Sequence, residues 1–328
     1  GTKAVSAKTT NNLVLESGVM DAVVGGTTPE ERNIISGARV GVVFSDPNSY
    51  QCSVIGNYIG TDITGTKAIP NHGGVLMWTS GNHRVGGTLA GEANLISGNQ
   101  KGVELNGYGV TDNIVLGNII GYGADGKPLP NETPVSINMG QKHAVVGGYT
   151  EAEGNRIYGG SISMRISSRG IQACYIAGNT VENRNGMLFY FEDSASNNFV
   201  QNNTFVETKS PSIRVDYGAG NQIRGNVFAG GKPQDLILLL EGGNGELAAP
   251  TVTEAAGSNI SGTTAAFGRV EVYLYEKSRI ASLGFARADA NGNFTFVSAE
   301  QLSGKQVILL VTDAMGNTSA FSPPYKVS

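Results

Sequence analysis

The sequence predicts an all-β chain, a parallel β-helix solenoid followed by a small antiparallel β-sandwich. Three observations predict it. An asparagine returns at Asn33, Asn94 and Asn155, 61 residues apart each time, and opens a short apolar run at each place. The triplet Val24-Gly25-Gly26 recurs at the same spacing as Val85-Gly86-Gly87 and Val146-Gly147-Gly148. Past Asn155 the period shortens to one coil, with asparagines at Asn179, Asn203 and Asn226, spaced 24, 24 and 23 residues. Short β-type runs between glycine turns, at a period in the twenties, mark a solenoid. Each coil buries its apolar face only by stacking on a neighbour.

The asparagines have a physical reason to recur. A tight corner between strands needs a residue at positive φ, which asparagine tolerates better than most. Its amide also donates and accepts at once, so stacked copies bond from coil to coil. A second asparagine inside each long unit, Asn57 and Asn118, belongs to the same series. Asparagine here reads as scaffold.

In chain order, Gly1-Thr2-Lys3-Ala4 echoes Gly65-Thr66-Lys67-Ala68, the middle of a repeat. The first coil is therefore expected to be incomplete, with more coils upstream. Eight coils follow from Asn33 to about Leu240. Two carry longer excursions, Thr61 to Asn71 and Tyr122 to Asn131, whose Gly, Thr, Asp and Pro read as surface loops. Glu241 to Glu246 breaks the pattern and Ala248-Ala249-Pro250 reads as a linker. Val270 to Tyr275 then alternates with period two, Asp289 to Asn293 reads as a hairpin turn, and Gln306 to Thr312 as a further strand. These predict two domains, a β-helix over residues 1–247 and an Ig-like sandwich over 248–328. The Asp289 and Asp313 turns lack the later acidic ligand of an EF-hand and read as turn chemistry.

Composition limits the function. The chain has 328 residues, 47 glycines, only 15% charged residues, and 23 basic against 27 acidic side chains for a net charge of −4. No basic run invites nucleic acid, and no apolar stretch approaches the roughly 18 residues of a membrane span. Cys52 and Cys174 each precede a repeat asparagine by five residues, about four coils or roughly 19 Å apart. A disulfide needs Cα atoms within about 7 Å. Both are expected to be buried free thiols.

The phrase Gly56-Asn57-Tyr58-Ile59-Gly60-Thr61-Asp62, with Gly65-Thr66, Pro70-Asn71 and Val85-Gly86-Gly87, carries a resemblance. The chain resembles the right-handed parallel β-helix of the pectin-lyase-like superfamily over roughly residues 10–245. It is also similar to large secreted bacterial repeat proteins in which an Ig-like module follows, echoed here by Thr312 to Ser322. The resemblance implies an extracellular or cell-surface bacterial protein. It does not imply an activity, because that superfamily holds lyases, hydrolases, epimerases and proteins without known chemistry.

Strand alternation assigns the outer face. The inward pairs are Val42/Phe44, Val75/Met77, Val103/Leu105, Val135/Ile137, Met164/Ile166, Phe189/Phe191, Ile213/Val215 and Leu236/Leu238. The outward column then holds Trp78, Glu104, Asn106, Asn138, Arg165, Tyr190, Glu192, Arg214 and Asp216, with Ile237 and Leu239 at its end. Both excursions enter strands of this face and are expected to wall it. Aromatic rings stack on sugar faces while amides and charges bond hydroxyls, so Trp78, Glu104, Asn106, Asn138 and Tyr190 are candidate contacts to an extended glycan. Arginines favour an acidic one.

Three classes of function remain. The first is binding of an extracellular polysaccharide or cell-surface glycan without catalysis. The second is catalysis. The resemblance to lyases implies calcium on Glu192 and Asp216 with Arg165 or Arg214 as the basic group; calcium is the one cofactor in view. A hydrolase would pair Glu192 with Asp216 on adjacent coils, about 5 Å apart, near the separation of retaining enzymes. Arginine neighbours lower carboxyl pKa values and oppose a general-acid role. An ion-pair ladder, Arg165 with Glu192 and Arg214 with Asp216, accounts for the same residues. The third class is an adhesin stalk. His72, His83 and His143 fall in or beside loops, and no histidine or cysteine pair has metal-ligand spacing.

Overall fold

The computed structural model describes residues 10–107, 111–167, 170–184, 186–206 and 211–328. The echo at Gly1 to Ala4 lies outside the described residues. Each coil runs through three short strands, stacked in parallel on the coils before and after. The first sheet has nine strands among the described residues, from Leu13–Leu15 to Ile237–Leu240. The second has eight, from Val23–Gly25 to Gln222–Arg224. The third begins at Ile34–Ile35 and carries parallel strands to Val227–Ala229. Inward columns such as Val42, Val75, Val103, Val135, Met164, Phe189 and Ile213 are fully buried in one continuous core. Each fully buried side chain of this kind contributes about 1.5–3 kcal/mol.

The asparagine ladder is continuous. Asn33 Nδ2 donates to Asn57 Oδ1 at 2.9 Å, Asn57 to Asn94 at 3.2 Å, Asn94 to Asn118 at 2.9 Å and Asn118 to Asn155 at 3.0 Å. The series continues through Asn179 and Asn203 to Asn226. The expectation that these asparagines hold the left-handed corner is corrected, for none of them has positive φ. Glycine takes that place just before Asn57, Asn118, Asn179 and Asn226, and Asn202 takes it before Asn203. A Cβ on Gly56 (φ 69°) would lie 1.9 Å from the Gly26 carbonyl oxygen, which only glycine avoids. A second left-handed corner precedes the second sheet at Gln51, Asn82, Asp112, His143, Ala173 and Asn197, with φ between 52° and 62°.

Cys52 and Cys174 are buried and free. They share a column with His83, Asn113, Asn198 and Asn221, each one residue ahead of a paired second-sheet strand position. The excursions do not stand as walls. They fold back over the third sheet, where Gly65 lies against Tyr58 and Leu95, and Ala124 N donates to Gly65 O at 2.9 Å.

One register expectation fails. Ile213 pairs with Ile237 and Val215 with Leu239, so the last coil points Ile237 and Leu239 inward and Leu238 and Leu240 outward. A helical turn over Pro233–Leu236 precedes this strand and buries Leu236 before the strand begins. The shift of one residue exchanges the two faces.

Residues 251–328 form two packed antiparallel sheets. One comprises Thr251–Ala256, Asn259–Thr263 and Asn293–Val297. The other comprises Arg279–Arg287, Arg269–Glu276, Gln306–Thr312 and Tyr325–Lys326, and it continues the third sheet of the helix through Phe228 opposite Ile280. The Asp289 and Asp313 carboxylates accept backbone N–H groups two and four residues on, which is turn chemistry.

Candidate functional site

The first sheet presents two outward columns. Register places Trp78, Asn106 and Asn138 side by side, then Ser167 and Glu192, with Asp216 on the next strand. The neighbouring column runs Leu76, Glu104, Ser136, Arg165, Tyr190 and Arg214. All nine residues singled out in the sequence therefore share one face. They do not share one environment.

Toward the N-terminal end Trp78 is 40% exposed. It borders a shallow depression of about 250 Å³ with Val43, Leu76, Val40, Asn11 and Arg39. Arg39 also borders a second, more polar depression of about 440 Å³ with His72, Gln100, Pro70 and Asn71. The register of the strands makes Arg39, His72, Gln100 and Glu132 stacked equivalents, each one residue before a paired position. His72 and Gln100 bond to each other through Nδ1 and Oε1. The Arg39 guanidinium has no partner among the described residues. Two buried acceptors flanking Trp78, Asn11 Oδ1 and Asn106 Oδ1, also lack a hydrogen-bond donor, as does Ser136 Oγ one coil on.

Toward the C-terminal end the polar groups satisfy one another. Arg214 Nη2 lies 2.6 Å and its Nε 2.9 Å from the Asp216 carboxylate, and Tyr190 Oη donates to the same carboxylate at 2.9 Å. The Arg214 guanidinium also sits 5.0 Å from the Tyr190 ring centre. Arg165 pairs with Glu192. Nearer the middle, Lys101 Nζ lies 2.7 Å from Glu104, which is buried although it points outward.

Comparison with known proteins agrees with this architecture. The family model described as a right-handed beta helix region matches residues 133–276, and that of a bacterial Ig domain matches residues 248–324. The chain is a right-handed parallel β-helix with a C-terminal Ig-like module. Among solved structures it is similar to tailspike protein 2 from Escherichia coli O157:H7 bacteriophage CAB120, at 8% identity and a TM-score of 0.30 over 90% of this chain and 59% of that one. A mutant tailspike protein of E. coli bacteriophage HK620, in complex with a pentasaccharide, matches at 10% identity and a TM-score of 0.22, over 85% of this chain and 63% of that one. The chain thus spans about three fifths of the length of each. A comparison with curated proteins finds no match.

The electrostatics of the β-helix face follow from these contacts. Hydrogen bonding to Glu192 raises the Arg165 pKa, and hydrogen bonding to Asp216 raises that of Arg214. Both stay protonated and neither accepts a proton in this arrangement. Burial, then the bond to Asp216, pushes the Tyr190 phenol up to about 12. Among the described residues no group of three or more His, Cys, Asp or Glu side chains could hold a metal, and no helix is long and apolar enough to cross a membrane.

Sequence reasoning missed Arg39, His72 and Gln100. Each precedes its strand by one residue, and only the register across loops of unequal length stacks them. It also missed Glu31, Glu92 and Glu153, which close the turn after each Val-Gly-Gly. Glu31 accepts the backbone N–H groups of Thr27 and Thr28, Glu153 those of Tyr149 and Thr150, and Glu92 that of Leu89. The signal was present, a glutamate six residues past the first valine-glycine step of each repeat.

Proposed function

We propose that this chain binds an extended extracellular polysaccharide along the outer face of its first sheet, without catalysis, with residues 1–247 as the binding β-helix and 248–328 as the Ig-like module. One observation carries the reading. Around Trp78 an exposed indole, an apolar depression, a guanidinium unpaired among the described residues and two acceptors without donors lie on four successive coils, from Asn11 to Asn106. An unsatisfied polar group in a native structure calls for an explanation. A glycan supplies one, since its apolar ring face suits the indole and its hydroxyls suit Asn11, Asn106 and Arg39. The extracellular or cell-surface, bacterial setting is part of the same proposal.

The test is a panel of acidic and neutral polysaccharides, with and without calcium, measuring binding, unsaturated-product absorbance and new reducing ends together. Binding with neither product is expected. Trp78→Ala should weaken that binding about tenfold to a hundredfold, the range of an interface anchor. Calcium-dependent absorbance would replace the proposal with a lyase. Reducing ends alone would replace it with a hydrolase acting through Glu192 and Asp216. Silence across the panel would favour a stalk.

A further inference from the structure

A parallel β-helix ends on a coil whose outer backbone groups have no next coil to meet. An open edge of this kind is a pairing liability that native proteins cover, and terminal repeats of solenoids need a different outer surface. Here the last complete coil is met by side chains of the module. Gly220 N donates to Asn317 Oδ1 at 2.7 Å, Ile223 N to Thr318 Oγ1 at 3.0 Å and Gly225 N to Glu271 Oε2 at 2.9 Å. Asn244, which receives Asn221 N, donates in turn to Thr318 O at 3.0 Å. Three module side chains thus accept, amide by amide, what a further coil would have accepted.

The apolar interior continues across the same boundary. Phe189, Phe205 and Phe228 pack in a row inside the last coils with ring centres 5.0 and 5.2 Å apart. Phe321 of the module follows at 5.7 Å from Phe228, and Tyr273 at 5.0 Å from Phe321. Tyr273, Ile280, Ile308, Leu310 and Phe321 belong to the core of the helix, whereas Val270, Val272, Leu309, Val311 and Phe296 belong to the core between the two sheets of the module. The two central strands of that module sheet, Arg269–Glu276 and Gln306–Thr312, are therefore buried on both faces. That accounts for the unbroken apolar run Val307 to Val311, since a strand covered on both sides has no polar alternation. Glu271, 2% exposed, receives Gly225 N, the Tyr273 hydroxyl at 2.8 Å and Arg269 Nε at 3.2 Å, so its charge is compensated within the joint.

We infer that the Ig-like module is the end cap of the β-helix, an integral part of its fold whose partner surface is the last coil. The order of the last coil then depends on the order of the module.

Native-state hydrogen exchange on the full chain tests this. Thr318→Val removes one acceptor and keeps the shape. It should speed exchange of the Ile223 amide on the order of tenfold or more, because a buried donor is left unsatisfied, and leave the Val54 and Val85 amides unchanged. Phe296→Ala loosens the core between the two module sheets, which the helix does not share. Under the inference, the amides of Ile223 and Gly225 lose protection together with those of Leu309 and Val311. Loss at Leu309 and Val311 with Ile223 and Gly225 still protected would make the module a tethered appendage. Should Phe296→Ala fail to fold, Thr318→Val decides alone, and an unchanged Ile223 amide overturns the inference.

Discussion

The two halves of the outer face carry similar residue types and treat them differently. Around Arg165, Tyr190, Glu192, Arg214 and Asp216 nearly every charge meets its opposite within the face, and Asp216 is only 3% exposed. Around Trp78 the indole, Arg39, Asn11 Oδ1 and Asn106 Oδ1 are left without such partners among the described residues. Ion pairs near a surface contribute little to stability and hold their side chains in fixed geometry. The C-terminal half is thus already occupied by itself, while the N-terminal half keeps its donors and acceptors for something else. Residue type alone did not distinguish them; pairing did.

The largest effect that separates the halves is a response to acid. His83 follows Trp78 in the chain, is buried, and stacks on Phe44 with ring centres 4.2 Å apart. Its Nδ1 accepts the Cys52 N–H at 3.3 Å, so the proton of the neutral ring sits on Nε2, which donates to Ser80 Oγ; Ser80 Oγ donates on to Ser49 O at 2.9 Å. Burial lowers its pKa from 6.5 to about 4. A base depressed in the folded state binds fewer protons there than in the unfolded chain, so its contribution is full above pH 6.5 and is lost as pH falls toward 4. The loss is on the order of 3 kcal/mol. Protonation would also set a second N–H against that of Cys52. Denaturant unfolding across pH 4 to 7 should therefore be steeper for the native chain than for His83→Gln; equal slopes would remove His83 from the account.

Asp216→Ala comes next. It strands the half-buried Arg214 guanidinium and Tyr190 hydroxyl together, and should lower stability by about 1–2 kcal/mol, since water takes up part of what unsatisfied polar groups would lose in full burial. Trp78→Ala, on a side chain already 40% exposed, should cost less than about 1 kcal/mol. Glycan affinity should respond in the reverse order. A shared order in both measurements would mean that the halves are not functionally distinct.

Much of this contrast is legible in the amino-acid sequence, and the missing parts have identifiable causes. The inward columns are uniformly apolar from Val42 to Val215, so alternation fixed the outward residues and the Arg165–Glu192 and Arg214–Asp216 pairs. The same reasoning failed at Leu236 to Leu240, where five consecutive apolar residues carry no alternation and the helical turn at Pro233–Leu236 shifts the register. The Trp78 half was half legible, since Arg39 and His72 stand outside the strands and reach the site only through stacking. The joint with the module was hidden because Glu271, Asn317 and Thr318 act on amides nearly 50 to 100 residues away in sequence.

The smallest expected effect concerns the corner that turns the chain from the first sheet to the second. Asn82, behind Trp78, has φ 57°, and Ala173, in the C-terminal half, has φ 54°. Asparagine visits this region with little penalty, whereas alanine suffers the Cβ clash with no side-chain hydrogen bond in return. Glycine removes the clash but adds freedom to the unfolded chain. Ala173→Gly should therefore raise stability by up to about 1 kcal/mol, and Asn82→Gly should change it by only a few tenths. Thermal midpoints of the two variants check this. Equal shifts would mean that neighbouring coils, rather than the corner residue, absorb the strain, and that each half of the face is held by its stack alone.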